Sequence, residues 1–174
     1  MSKLRFNHLL QFILLVAVQV LLARNLPVYD VAFCYVYIGF LLFLPIQLSV
    51  VSQLFFGLIT GLTVDIFYDT LGIHSAACVF LMYMRPYVIR LLTPRDGYDA
   101  NDTPNVHRMG YYWFLPYALL LVFLHHAALF FLEVFSFYMW WMTLLRIGLS
   151  TVYTFLVLMI IQFLFFPTKR QGRK

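Results

Sequence analysis

Charged residues are scarce in this sequence of 174 residues: only 11% are Asp, Glu, Lys or Arg, whereas 63% are hydrophobic. An ordinary soluble domain carries about 25% charged residues. A soluble fold of this size would have to expose apolar patches far larger than soluble monomers tolerate. The composition therefore predicts a single membrane domain over residues 1–174, with its surplus apolar surface facing lipid.

Clusters of charge that would bind nucleic acid are also missing. The formal net charge is +5, but most of the cations lie beside apolar segments, where they act as determinants of membrane topology. The two cysteines, Cys34 and Cys78, both lie in apolar runs, where a thiol behaves as a small hydrophobic group. We therefore expect lipid, and not nucleic acid, to surround the protein, and we do not expect a disulfide.

The sequence also lacks the motifs that carry catalysis or bind metals. It contains no HExxH, CxxC, GxSxG or phosphate-binding glycine loop. His125 and His126 are adjacent, so on a helix their side chains point about 100° apart and do not share a face. Tyr68 and Asp69 match one half of an intramembrane aspartyl protease signature, but its GxGD partner is absent. These absences predict a protein that is not an enzyme and that has no metal and no cofactor.

Five polar breaks divide the chain into six apolar segments. A spanning helix needs about 20 mostly apolar residues, and the sequence predicts an all-α integral membrane protein, a bundle of six transmembrane helices. The predicted helices cover residues 7–23, 31–44, 50–67, 73–92, 111–132 and 139–166. The second segment is short and is followed by a turn containing Pro45, so a re-entrant pair of segments remains an alternative.

The positions of the cations predict the orientation, because Lys and Arg in short loops stay in the cytoplasm. With six spans, both termini and the polar loop 93–110 share one side of the membrane. The basic residues on that side are Lys3, Arg5, Arg95, Arg108 and those of the tail 167–174, whereas the opposite loops contain only Arg24. Both termini are therefore predicted to be cytoplasmic.

The third segment carries small and acidic residues at a spacing of four. Gly57 and Gly61 are followed by Asp65 and Asp69, so all four lie along one face of the predicted helix. Small residues allow another helix to approach closely. The seam formed by Gly57 and Gly61 is therefore interpreted either as helix packing inside the bundle or as the binding site for a partner's helix.

Further polar residues lie inside the apolar segments, where they are costly and mark a packed interior or a functional site. On the last segment Arg146, Ser150 and Thr154 recur every four residues. Arg146 and Asp65 are predicted to lie at a similar depth and within ion-pair or water-bridged reach of each other, with Glu133 as a substitute partner. Asp65, Asp69, His74, Glu133 and Arg146 thus form a predicted intramembrane polar cluster, although Glu133 alternatively faces only lipid headgroups.

Two stretches of the sequence resemble the MreD family of rod-shape-determining proteins. The first is GLITGLTVD at 57–65, followed by TLGIH at 70–74 and by Arg85 and Pro86; the second is PRDGY at 94–98, followed by His125, His126 and FFLE at 130–133. This resemblance implies a multi-pass subunit of the bacterial inner membrane without enzymatic activity. It also implies binding to the transmembrane helix of MreC, in a complex with MreB, RodA and the elongation transpeptidase that builds the lateral peptidoglycan wall.

The same family is similar in fold to the substrate-binding subunits of energy-coupling-factor vitamin importers. The resemblance therefore also implies an alternative function, that of a small-solute-binding subunit of a membrane transporter. Under this alternative, the predicted polar cluster is where the solute would bind.

Overall fold

The computed structural model describes residues 2–99, 102–134 and 140–165, and the regular secondary structure of the described residues is helical. The predicted basic tail 167–174 lies outside the described residues. Seven helices are present in the described part: α1 (Ser2–Leu21), α2 (Ile38–Leu42), α3 (Val50–Tyr68), α4 (Ile73–Leu91), α5 (Val106–Met109), α6 (Tyr111–Val134) and α7 (Trp140–Phe165). A short 3₁₀ turn, Ala23–Asn25, follows α1.

Four of these helices identify an α-helical membrane protein. α1, α3, α6 and α7 each provide at least 18 residues of sufficient apolarity to cross a membrane, and they are the only described helices that do. α4 has 19 residues, as predicted, but it contains Arg85, Pro86 and Arg90 and is less apolar. The bounds predicted for the third to sixth segments agree with α3, α4, α6 and α7 to within two residues.

The prediction of a helix over residues 31–44 is wrong. Only Ile38–Leu42 is helical, and the chain before it follows turns and extended backbone. Residues 34–44 are nevertheless almost all buried, so the segment is surrounded by the other helices. An apolar run of this length is compatible with a buried extended chain as well as with a helix.

Polar side chains of distant helices bind the backbone of this non-helical segment. Gln19 of α1 accepts a hydrogen bond from the Val36 amide at 2.6 Å and donates one to the Cys34 carbonyl at 3.1 Å. On α7, Ser150 accepts from the Phe33 amide at 2.9 Å and Thr154 from the Tyr35 amide at 3.1 Å. Non-helical backbone at membrane depth is tolerated only where protein supplies such partners, and this explains Gln19 in α1 and Ser150 and Thr154 in α7.

We name the two ends of the bundle the turn end and the loop end, after the α3–α4 turn and the polar loop 93–110 that lie there. At the turn end, α1 finishes beside the α3–α4 turn, and Arg24 Nη1 donates to the Phe67 carbonyl at 2.7 Å. At the loop end, the Ile46 amide donates to the Asp102 carbonyl at 3.2 Å. The segment between α1 and α3 thus begins at the turn end and reaches the loop end.

Candidate functional site

The glycine seam of α3 is buried against α4. A Cβ atom added to Gly57 would lie 2.9 Å from both the Cys78 carbonyl oxygen and Met82 Cγ, and one added to Gly61 would lie 2.3 Å from Ser75 Cα. No L side chain fits at the second position without separating the two helices. The seam therefore serves helix packing inside this protein, and a partner helix would have to bind elsewhere.

Asp65 caps the start of α4 from the neighbouring helix. Its carboxylate accepts hydrogen bonds from the backbone amides of His74 at 3.0 Å and Ser75 at 2.9 Å, and from the hydroxyls of Thr70 and Ser75, both at 2.5 Å. His74 Nδ1 lies 3.2 Å from the same carboxylate. The first amides of a helix have no partner within it and attract negative charge, and Asp65 supplies both the acceptors and the charge.

Asp65 and Arg146 do not form a direct ion pair. Among the described residues, the pairs within 4.0 Å are His74 with Asp65 and Arg108 with Asp102, so Glu133 does not pair with Arg146 either. Arg146 is half-buried, and its Nε atom has no hydrogen-bond partner in the described part of the chain. Asp65 accepts its hydrogen bonds from the nearby amides of α4. It therefore does not need Arg146, which had been indicated as its partner because the two residues were expected at the same depth.

A cavity of about 200 Å³ whose lining includes several polar side chains lies at the turn end. It brings together two members of the predicted polar cluster, His74 and Glu133, whereas Asp69 lies exposed at the C-cap of α3 and does not line it. The lining residues are Ala23, Arg24, Phe33, Cys34, Tyr35, Tyr68, Thr70, Ile73, His74, Leu129 and Glu133. We name this space the turn-end cavity.

Arg85 was not predicted as a site residue, yet its side chain is fully buried. The guanidinium donates to Tyr117 Oη at 2.8 Å, to Gln53 Oε1 at 3.1 Å and to the carbonyls of Leu44 and Pro45. Gln53 in turn donates to the Leu48 carbonyl at 2.7 Å. Arg85 therefore fixes the chain that leaves α2. The available signal was a cation inside an apolar helix, which by default marks a buried partner.

The adjacent histidines of α6 are both fully buried. His125 Nε2 lies 3.0 Å from Tyr37 Oη, and His126 bonds the Val122 carbonyl at 2.7 Å and Thr154 Oγ1 at 3.2 Å. Within the described residues, no three His, Cys, Asp or Glu side chains are arranged to hold a metal ion. The two histidines therefore form buried hydrogen bonds in the core that surrounds the non-helical segment.

An apolar groove of about 580 Å³ opens on the side of the bundle between α1 and α3. Its floor is formed by α2 and by the chain that leaves it, and among the described side chains that line it only His8 and Thr60 are polar. The residues that line it are His8, Leu9, Phe12, Phe40, Leu44, Pro45, Leu48, Phe56, Ile59 and Thr60. We name it the lateral groove.

Comparison of the chain with protein-family models, with curated proteins and with solved structures found no match. The geometry of the turn-end cavity and of the lateral groove therefore carries the functional argument.

Proposed function

We propose that this protein is a non-enzymatic membrane scaffold that receives the transmembrane helix of a partner in its lateral groove. The observation that carries the proposal is the groove itself: a concave, almost wholly apolar space of about 580 Å³ bounded by two helices that are long enough to span a membrane. In lipid, helices associate through close packing, because burial of apolar surface gives no advantage over contact with acyl chains. A preformed groove provides such packing for the side chains of a third helix.

The walls of the groove suit this role. α1 is the least buried of the four apolar helices: 17% of its spanning window is buried, against 44% for α6. Its apolar side chains are therefore available to a partner. The opposite wall is rigid, because α3 is packed against α4 through Gly57 and Gly61. The floor is fixed by the bonds of Arg85 to the Leu44 and Pro45 carbonyls.

We further propose that the scaffold is of the MreD type, so that the partner is MreC and the larger complex contains RodA, the elongation transpeptidase and MreB. The resemblance in sequence supports this assignment. The location would be the bacterial inner membrane.

The proposed topology has six crossings, with both termini and the loop end in the cytoplasm. Four crossings are the apolar helices, and α4 is the fifth, because it runs antiparallel to α3 over the same length. The sixth is the buried segment between α1 and α3, which crosses as extended chain followed by α2. The excess of Lys and Arg at the loop end supports the orientation. We also propose that the fold is similar to that of the substrate-binding subunits of energy-coupling-factor transporters.

The experiment fills the groove without disturbing the fold. Ile59 lines the groove and is 38% exposed, whereas Leu58 is 43% exposed and does not line it. Ile59→Trp is expected to abolish co-purification of MreC, and Leu58→Trp, the matched control on the same helix, is expected to retain it. Both variants are checked for unchanged thermal unfolding in detergent. Equal retention of MreC by two folded variants would exclude the lateral groove as the binding site.

A second candidate function is that of a small-solute-binding subunit of a transporter, and the turn-end cavity favours it. The cavity carries His74 and Glu133, with Tyr35 and Tyr68 beside them, and thus offers polar contacts to a small molecule. Mass spectrometry of the protein purified in detergent discriminates the two candidates. A metabolite retained in stoichiometric amount supports the transporter subunit, and MreC retained without a metabolite supports the scaffold.

A further inference from the structure

Five separate parts of the chain build the turn-end cavity. They are the 3₁₀ turn after α1, the start of the non-helical segment, the end of α3, the start of α4 and the end of α6. Its volume of about 200 Å³ lies below the range of roughly 300–1,000 Å³ that drug-sized ligands occupy. The space therefore suits a small chemical group or a lipid headgroup rather than a large cofactor.

The hydrogen bonds around His74 determine what its ring presents to this cavity. Thr70 donates its only hydroxyl proton to Asp65 Oδ1 at 2.5 Å, so Thr70 Oγ1 can only accept from His74 Nδ1, which is 3.0 Å away. Asp65 is also an acceptor. Nδ1 therefore carries a proton, and in the neutral imidazole Nε2 is left as an acceptor.

His74 Nε2 has no hydrogen-bond partner among the described residues, although His74 is only 4% exposed. A buried acceptor without a partner is costly, and a ligand that donates a hydrogen bond would remove this cost. The ring is held in place at its other nitrogen by Asp65 and Thr70. The site is therefore oriented before any ligand arrives.

The remaining polar groups give the cavity one acidic and one basic side. The Glu133 carboxylate adds further acceptors, and the ring of Tyr35, which also lines the cavity, is a face that attracts cations. On the other side lies Arg24, whose guanidinium stacks 5.0 Å from the Tyr68 ring centroid. The Tyr68 hydroxyl accepts from Gln19 at 2.6 Å, so its own proton can be donated to an anion.

We propose that the turn-end cavity binds a primary ammonium group that carries a neighbouring anionic group, as in phosphoethanolamine. The ammonium donates to His74 Nε2 and to Glu133, and the anion is held by Arg24 and the Tyr68 hydroxyl. An ammonium has three N–H donors, whereas a quaternary amine such as choline has none and leaves His74 Nε2 without a partner. The same chemistry is offered by a phosphatidylethanolamine headgroup and by a free zwitterionic solute.

The test uses the full chain without any partner protein, so its result does not depend on the lateral groove. The chain is reconstituted in phosphatidylcholine nanodiscs, and phosphoethanolamine or phosphocholine is added while thermal unfolding is followed by circular dichroism. A parallel series replaces part of the lipid by phosphatidylethanolamine. A rise in the unfolding midpoint with free phosphoethanolamine identifies a solute site, and a rise only with the lipid identifies a headgroup site; both support the proposal.

Two variants distinguish a specific binding site from a general effect of charge on ligand binding. Substitution of His74 also removes the bonds to Asp65 and Thr70, so the informative variant is Glu133→Gln, at an exposed position. It is expected to weaken binding of the ammonium ligand about tenfold or more, since a charge-assisted hydrogen bond is lost. Asp69→Asn is the matched control, because Asp69 is an exposed carboxylate at the same end that does not line the cavity.

Three results would overturn the proposal. The first is stabilisation by phosphocholine equal to that by phosphoethanolamine. The second is the same loss of binding in Glu133→Gln and Asp69→Asn. The third is the absence of any effect of either the free ligand or the lipid on the unfolding midpoint.

Discussion

Replacing Gly61 by Ala tests how tightly α3 and α4 are packed. The added Cβ would lie 2.3 Å from Ser75 Cα, 2.6 Å from the Ser75 amide nitrogen and 2.8 Å from the His74 carbonyl oxygen. All three are backbone atoms, so no side-chain rotation relieves the clash. Carbon atoms in contact prefer about 3.5–4.0 Å, and the two helices must therefore separate by roughly 1 Å or more.

That separation also breaks the cap that Asp65 provides. Its hydrogen bonds from the Ser75 and His74 amides are 2.9 and 3.0 Å long, and an opening of about 1 Å takes both beyond hydrogen-bonding distance. Overpacking costs about 1–3 kcal/mol, and each hydrogen bond to a charged group contributes about 1.5–3 kcal/mol. Ala gains only about 1 kcal/mol in helix propensity. We expect Gly61→Ala to lower the free energy of unfolding by about 3 kcal/mol or more.

The assay is an equilibrium SDS titration of the purified protein, read by a thiol-reactive dye at Cys34 and Cys78, which are free and buried. Gly148→Ala is the control, because a Cβ at Gly148 meets nothing within 4 Å; it is expected to be at least as stable as the natural protein. Unfolding of Gly61→Ala at the same SDS concentration as Gly148→Ala would refute the packing argument.

The remaining predictions concern buried polar groups and use the same titration. Asp65→Ala should cost about 2–4 kcal/mol, because it leaves the first amides of α4 without acceptors, whereas Asp69→Ala at the exposed C-cap should cost little; equal costs would contradict the capping role. Arg85→Met should cost about 3 kcal/mol or more, since it leaves the Leu44 carbonyl and the Tyr117 hydroxyl buried without a donor. Natural stability of that variant would show that desolvation of the guanidinium offsets its bonds. Gln19→Leu should cost about 2–4 kcal/mol through the lost bonds to Val36 and Cys34, and an unchanged titration would mean that other groups bind this backbone.

The sequence predicted the bounds of α3, α4, α6 and α7 to within two residues. The runs at 50–67 and 111–132 became α3 and α6 with almost the same bounds. The run at 31–44 is also apolar, but only Ile38–Leu42 became helical, because Gln19, Ser150 and Thr154 supply hydrogen bonds to the non-helical backbone that precedes it. Those partners come from distant parts of the chain, and local periodicity contains no information about them.

Only part of the candidate site was predicted: His74 and Glu133 line the turn-end cavity, whereas Asp65, Asp69 and Arg146 do not. The sequence singled out Asp65, and its carboxylate is buried, yet its partners are the amides of the next helix and not Arg146. Two residues at the same depth on two helices need not be in contact, because depth does not show which faces of the helices pack against each other. Arg85 was not predicted as a site residue. Its partners include the backbone carbonyls of Leu44 and Pro45, and because every residue carries a carbonyl, no sequence pattern identifies such partners.

Site-specific photocrosslinking in intact cells tests the scaffold proposal most directly. A photoreactive amino acid is placed at Ile59 in the lateral groove and, as a control, at Val152, which is 54% exposed on α7 and does not line the groove. We predict that Ile59 crosslinks to the transmembrane helix of MreC and that Val152 does not. Crosslinks to lipid alone at Ile59, or to MreC from Val152 and not from Ile59, would contradict the proposal.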